Sequence, residues 1–400
     1  MPTQKAWNTG PIHLDMRLKT DEFDTHIRTN SQGLRENERI DKKDKNTFRI
    51  VVIGDSFTFG WGVNFEETYV QVLEKELKQK VSKHIEVINF GRPGASATTY
   101  LRFMKSYVKS LEPDMVVIGF LLGNDSFPGN PKTWNKDPDK AYRQAKNILD
   151  RQLNNASAPR EIKFSALYEQ LIEPFLEPKF WNRVFHRYRG NCYLGVWNFD
   201  TVTREQIYSK YRAESSELQR YDMLLKDGWI TKAKVCRIMP YRINSAIQMP
   251  LYWKTVVGLD QTSKDVVLRL WDFSHQRLYT INELGTSWGI PVEVMSFPSA
   301  PSVSKGAFNF MKKLGVSVSD EMLLDRLVED TLLAFCDDHK LSCHPLLNPI
   351  RQMNSKNDDL FFHHDFHMNA KGNRVLGGLM AEALSPKIQD LYKKVVSQKH

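Results

Sequence analysis

The chain has 400 residues, 41% of them hydrophobic and 11% aromatic, and a net charge of +9. That supply of apolar side chains can bury a sizeable core, in one elaborated domain or two, and excludes wholesale disorder. The positive charge suits an acidic polymer such as an anionic glycan, or simply solubility. With no Lys/Arg-rich block interleaved with aromatics and no zinc-finger or helix-turn-helix spacing, nucleic acid is not an expected partner.

Residues 1–47 are polar and weakly periodic, and read as an N-terminal arm lying along the sheet; the charged run from Asn37 to Lys45 within it reads as a solvated loop. Arg49 to Ile53 is an unbroken apolar run that suits a parallel strand covered on both faces, and it runs into a tight turn, Gly54-Asp55-Ser56. A parallel strand delivers its carboxyl end to the crevice where ligands bind, which puts Ser56 there. From Glu67 to Val81 the apolar positions Tyr69, Val70, Leu73, Leu77 and Val81 define one helical face. Ile85 to Asn89 is a second strand, followed by Gly91-Arg92-Pro93-Gly94. A helix carrying Tyr100, Leu101, Met104, Val108 and Leu111 ends before Pro113. Met115 to Phe120 is a third strand, ending at Gly123-Asn124-Asp125. Strands alternating with helices imply a doubly wound parallel sheet.

Residues 131–262 do not continue this alternation; rich in Trp, Tyr, Arg and Lys, they read as a mainly helical insertion. Its place after Asn124 suits either a lid over the site or a packing and oligomerisation element. The alternation resumes at Thr262-Ser263-Lys264-Asp265, a capping-box-like start to a helix with Val267, Leu270, Trp271, Leu278 and Ile281, which stops at Gly289. Pro291 to Phe297 is the fourth strand. Ser319 caps a helix containing Met322, Leu323, Leu327 and Phe335, Ser342 to Leu346 is a short fifth strand, and Ala370 to Leu384 is the closing helix.

Four blocks therefore stand where strands or loops end: Gly54-Asp55-Ser56, Gly91 to Gly94, Gly123-Asn124-Asp125 and Asp365-Phe366-His367. In this order they resemble the GDSL-like, or SGNH, hydrolases, named for their Ser, Gly, Asn and His blocks. His26 to Arg35 resembles a lead-in found in one bacterial branch of that family. The resemblance covers residues 26–128 and 262–390. It implies a three-layer α/β/α sandwich of the flavodoxin-like kind, divided into an arm (1–47), a first half (48–130), the insertion (131–262) and a second half (263–400).

The resemblance also implies roles. Ser56 is the nucleophile, His367 its base and Asp365 the acid that orients the imidazole. The Ser56 amide, the Gly94 amide and the Asn124 side chain are the oxyanion donors. Gly94 is preferred to Gly91 because the family's functional glycine follows its strand by several residues. The family often spaces this pair Asp-x-x-His, so Asp358 and Asp359 stand as alternative acids beside Asp365. The expected activity is hydrolysis of an acyl ester, acetyl foremost, on a carbohydrate or other small molecule. The alternatives are an O-acetyltransferase with the same triad and a non-catalytic glycan-binding protein on the same fold.

Each block also has a plain structural reading, as a turn glycine, a helix cap or a loop histidine. Phe57, Phe59 and Trp61 suit either a substrate pocket or the core. His363 and His364 lack the spacing of a metal site, and neither a metal nor another cofactor is expected. The four cysteines, Cys192, Cys236, Cys336 and Cys343, form no C-x-x-C pair. They are expected as free buried thiols, with Cys336–Cys343 the most plausible pair if any forms. No stretch approaches the ~20 apolar residues of a membrane span. The first seven residues lack the apolar core of a signal peptide. The expectation is a soluble chain, cytoplasmic unless a leader was removed upstream, in which case periplasmic or extracellular; the oligomeric state stays open.

Overall fold

The computed structural model describes residues 10, 12–19, 22–38, 43–122, 125, 264–313, 320–356, 358–363 and 365–397. The expected insertion over 131–262, and with it Cys192 and Cys236, lies outside the described residues, as do Asn124 and His364.

Five parallel strands form the sheet: β3 (Phe48–Gly54), β4 (Ile85–Gly91), β5 (Met115–Leu121), β6 (Val292–Phe297) and β7 (Ser342–Pro345), in the order β4-β3-β5-β6-β7. All seven residues of β3 and of β5 are buried. That explains why those strands read as continuous rather than alternating apolar runs. Along β3, Ile50 and Val52 point into one core and Val51 and Ile53 into the other. The first core is closed by α2 (Tyr69–Lys80), α5 (Lys305–Lys313) and α8 (Ala370–Ser397). The second is closed by α3 (Ala97–Ser106), α4 (Lys264–Ser287) and α6 (Leu327–His339). The result is the expected three-layer α/β/α sandwich. The order of the sheet reverses at β3, between β4 and β5, and the crevice beyond the strand ends at such a switch point is where open α/β sheets bind ligands.

Several elements differ from expectation. The arm contains an antiparallel hairpin of its own, β1 (Asp15–Lys19) with β2 (Asp24–Arg28), separate from the main sheet. Its strands are only five residues long, too short for their alternation to stand out. Leu18, Phe23 and Ile27 bury against Phe59 and Trp61. The run from Asn37 to Lys45 is not wholly solvated: Lys43 pairs with Asp114 at 2.5 Å and donates to the Glu112 carbonyl. The helix expected up to Pro113 ends at Ser106 and continues as a 3-10 turn, Val108–Leu111. The helix expected from Ser319 to Phe335 is two elements, a 3-10 turn (Asp320–Leu323) and α6. They divide at Asp325, whose carboxylate accepts from the Leu327 amide at 2.7 Å just ahead of α6.

Two short helices were not foreseen, α5 and α7 (Leu347–Asn354). The closing helix runs thirteen residues past Leu384, through Pro386, to Ser397. Cys336 and Cys343 are joined as a disulfide rather than free. Left-handed Lys340 ends α6 and turns the chain straight back into β7, bringing the two Cα atoms to 6.2 Å. Among the described residues no helix is long and apolar enough to cross a membrane.

Candidate active site

Ser56 begins α1 (Ser56–Phe59), one residue beyond Asp55 and two beyond the end of β3. Asp55 caps this turn by accepting the Phe57 amide at 2.9 Å, and left-handed Gly60 closes it. A turn so tight must lie directly on the sheet, and the sheet is bare beneath it. Gly91, Gly54 and Gly119 stand side by side across β4, β3 and β5. A Cβ on Gly91 would come within 2.1 Å of the Phe59 amide nitrogen, and one on Gly54 within 1.8 Å of Thr58 Oγ1. The Thr58 hydroxyl, set in this platform, shares a hydrogen bond of 2.6 Å with Tyr69 of α2. Gly119 and Thr58 were not singled out from the sequence; what could have found them is the recurrence of glycine at strand ends, visible only once the register is known.

Two further side chains hold the serine turn. The Asn89 amide donates to the Thr58 carbonyl at 2.8 Å and its oxygen accepts from the Gly91 amide at 2.9 Å. Arg35, buried at the end of the arm, donates to the carbonyls of Phe59 (3.1 Å), Gly60 and Val63 (2.6 Å). Burial lowers its guanidinium to about 10, so it keeps its charge at neutral pH. Beside it Glu36 accepts from the amides of Asn89 and Asn37 at 3.0 Å each, and burial raises its carboxyl to about 7.

The histidine side is built differently. Asp365-Phe366-His367 sits in a loop pinched between a bridge of Phe361 to Met368 and a hydrogen bond of 2.9 Å from the Phe362 amide to the His367 carbonyl. Phe366 takes a left-handed φ of 73°, which folds the chain so that residues 365 and 367 face one another. The His367 Nδ1–H donates to Asp365 Oδ1, and His367 Nε2 lies 2.6 Å from the Ser56 hydroxyl. Because an ionised carboxylate only accepts, Asp365 fixes the tautomer that leaves Nε2 free to accept from Ser56. Asp365 and His367 are both buried, and the imidazole packs against Phe57 at 4.8 Å and Trp61 at 6.2 Å between ring centres.

The alternative acids are engaged elsewhere. Asp358 accepts from the Gly306 amide and from Asn354, and Asp359 from Lys371. His363 Nε2 bonds the Asp358 carbonyl at 3.0 Å. Phe57, Phe59 and Trp61 are all buried, Phe57 and Trp61 as walls for the imidazole and Phe59 under the Arg35 guanidinium.

The oxyanion candidates fare unequally. Gly91 is packed under Phe59 and its amide is already given to Asn89. Gly94 is exposed, has a left-handed φ of 75°, and a Cβ there would meet nothing within 4 Å among the described residues. Asn124 lies outside the described residues. Its neighbour Asp125 is buried and folds back to accept the Leu121 amide at 2.7 Å, so it orders the end of β5. Burial first, and then the nearby Asp55 charge, hold the Asp125 carboxyl well above the usual carboxylate range.

Compared with known proteins, residues 50–221 match the family model of GDSL-like lipase/acylhydrolases. No curated protein matches. Among solved structures, the lipase/acylhydrolase from Enterococcus faecalis is 13% identical, with 85% of this chain and 97% of that one covered and a TM-score of 0.36. The acetyl xylan esterase AlAXEase is 12% identical, with 84% and 100% covered and a TM-score of 0.37. A member of the lipolytic protein G-D-S-L family from Veillonella parvula is 12% identical, with 84% and 98% covered and a TM-score of 0.36.

Proposed function

This chain belongs to the GDSL-like lipase/acylhydrolase family of ester hydrolases, and on that premise we propose that it is a serine esterase acting through Ser56, His367 and Asp365. The observation that carries the reading is the unbroken line from the Ser56 hydroxyl through both imidazole nitrogens to the Asp365 carboxylate.

Ser56 Oγ attacks the ester carbonyl carbon as His367 Nε2 takes its proton. Asp365 stabilises the imidazolium. The carbonyl oxygen becomes an oxyanion that accepts from the amides of Ser56 and Gly94 and from the Asn124 side chain. Collapse returns the proton from His367 to the departing alcohol and leaves an acyl group on Ser56. A water, deprotonated by the same imidazole, then releases the acid and restores the serine. The Ser56 amide, held in the turn that Asp55 caps beside an imidazole walled by Phe57 and Trp61, is one donor that need not reorganise at the moment of reaction. The proposed substrate class is a short acyl ester, acetyl foremost, on a carbohydrate or other small alcohol.

The test is turnover of p-nitrophenyl esters from acetate to octanoate by the wild type and Ser56→Ala in parallel. The expected result is ester release falling roughly 10⁴-fold or more in the variant, with its fold intact. Full activity in Ser56→Ala removes the nucleophile from the reading.

A further inference from the structure

A charged side chain from the far end of the sequence also reaches the histidine loop. Glu22, between β1 and β2, directs both carboxylate oxygens at backbone amides of that loop. Oε1 accepts from His363 at 2.7 Å and Oε2 from Asp365 at 2.8 Å. The next residue, Phe23, is buried, and its ring packs on Phe362 at 5.1 Å between centres. Gly62, beyond the serine turn, closes the junction: a Cβ there would lie 2.8 Å from the Phe362 ring and 3.2 Å from that of Phe23. The hairpin is thus wedged between the two chain segments that carry Ser56 and His367. Arg35, further along the same arm, grips the serine segment by its carbonyls, and Glu22 grips the histidine segment by its amides.

The loop needs such a grip. Phe366, between the acid and the base, holds a left-handed φ of 73° that a bulky residue keeps only when its surroundings over-determine it. An ionised carboxylate is the one side-chain group that offers a separate acceptor to each of two amides, with its charge strengthening both bonds. We propose that Glu22 is a positioning residue for His367: it pins the turn in which Asp365 meets Nδ1 and Nε2 meets the Ser56 hydroxyl. The proposal rests on the triad reading given above. Glu22 touches neither substrate nor the reacting atoms; it acts through the backbone of Asp365. A misplaced base slows proton transfer and leaves ester binding alone, so the loss falls on kcat.

The test compares kcat and KM for p-nitrophenyl acetate in the wild type, Glu22→Gln, Glu22→Ala and Ser56→Ala, each well below its own Tm. Glu22→Ala, with no acceptor, is expected to lose kcat on the order of 10- to 100-fold with KM within about twofold of wild type. Glu22→Gln, which keeps one acceptor oxygen, falls between the two. A Glu22→Ala enzyme with wild-type kcat, or one whose loss lies in KM, overturns the proposal. If Glu22→Ala does not fold, Glu22→Gln decides the matter alone: a drop in kcat at constant KM supports it, and unchanged kinetics overturn it. Full activity in Ser56→Ala would instead sink the triad reading. An inactive Ser56→Ala beside a fully active Glu22→Ala would sink only the role of Glu22.

Discussion

Ser56 stands two residues past a strand whose every side chain is buried, whereas His367 stands in an irregular loop tied down by side chains from distant parts of the chain. The serine turn inherits its position from the sheet. Three glycines in register clear its floor, and Asp55, Asn89 and Arg35 fasten its few backbone groups. The histidine loop has no ladder to inherit. Asn354 accepts the Leu360 amide and donates to Asp358, Asn369 caps α8 and donates to the Asp359 carbonyl, and Glu22 holds the amides of His363 and Asp365. Asn373 joins the two halves, accepting the first amide of α2 at 2.9 Å and donating to the Met368 carbonyl at 2.9 Å. One partner of the proposed proton transfer is set by regular secondary structure and the other by an assembly of polar side chains. Lesions in the two halves should therefore be read out differently.

Loss of the Ser56 hydroxyl itself apart, the largest expected effect is on the histidine side. Asp365→Asn keeps the shape but offers Nδ1 a group that can also donate, and so loses control of the tautomer. The expected loss in kcat is about 10³- to 10⁴-fold with little change in Tm; equal activity would mean that another group orients His367.

On the serine side the expectation reverses. Arg35→Met removes a buried guanidinium from the carbonyls of Phe59, Gly60 and Val63 and leaves them without their donor. Urea titration should show a stability loss of about 3 kcal/mol. The folded fraction should keep most of its kcat, because the sheet still sets the place of Ser56. A kcat loss exceeding that of Asp365→Asn would break the contrast between the halves.

Gly94→Ala tests a smaller energy. With no clash to relieve, its cost is the left-handed φ of 75°, about 1–2 kcal/mol in the same titration. Alanine keeps the backbone amide, so this variant tests the left-handed conformation and not the donor; a loss well below about 1 kcal/mol would show that residue 94 does not hold that conformation.

The smallest effect is a pH dependence beside the serine side. The folded-state carboxyl of Glu36 is raised from 4.5 to about 7, chiefly by burial. Between those values the folded state holds a proton that the unfolded state has released. The contribution of Glu36 to stability is then fully present below pH 4.5 and lost as pH rises through about 7. Glu36→Gln, always neutral, should flatten the fall of Tm with pH across that window. Parallel Tm curves for the two proteins would show that the carboxyl ionises freely in the folded state.

By itself the sequence determined the sheet and pointed to the residues at its strand ends as candidates for a site. Buried parallel strands leave a one-dimensional signal, a continuous apolar run stopped by glycine, and helices leave a periodic one. Phe48 to Gly54 and the face of Tyr69, Val70, Leu73 and Leu77 were therefore legible. Ser56, His367 and Asp365 were legible as blocks in order, and the shorter Asp-x-His spacing left two other acids open. Only the tertiary structure shows which of the three carboxylates meets the His367 ring, because what brings Asp365 to it is the left-handed Phe366, which no pattern of residue types announces. It also decided the division of the Ser319 to Phe335 stretch, the Cys336–Cys343 bond and the hairpin in the arm. Glu22 and Arg35 belong with these. A carboxylate 343 residues from the amide it accepts has no signature in local sequence, since a hydrogen bond between distant segments depends on how the chain folds back and not on what its neighbours are.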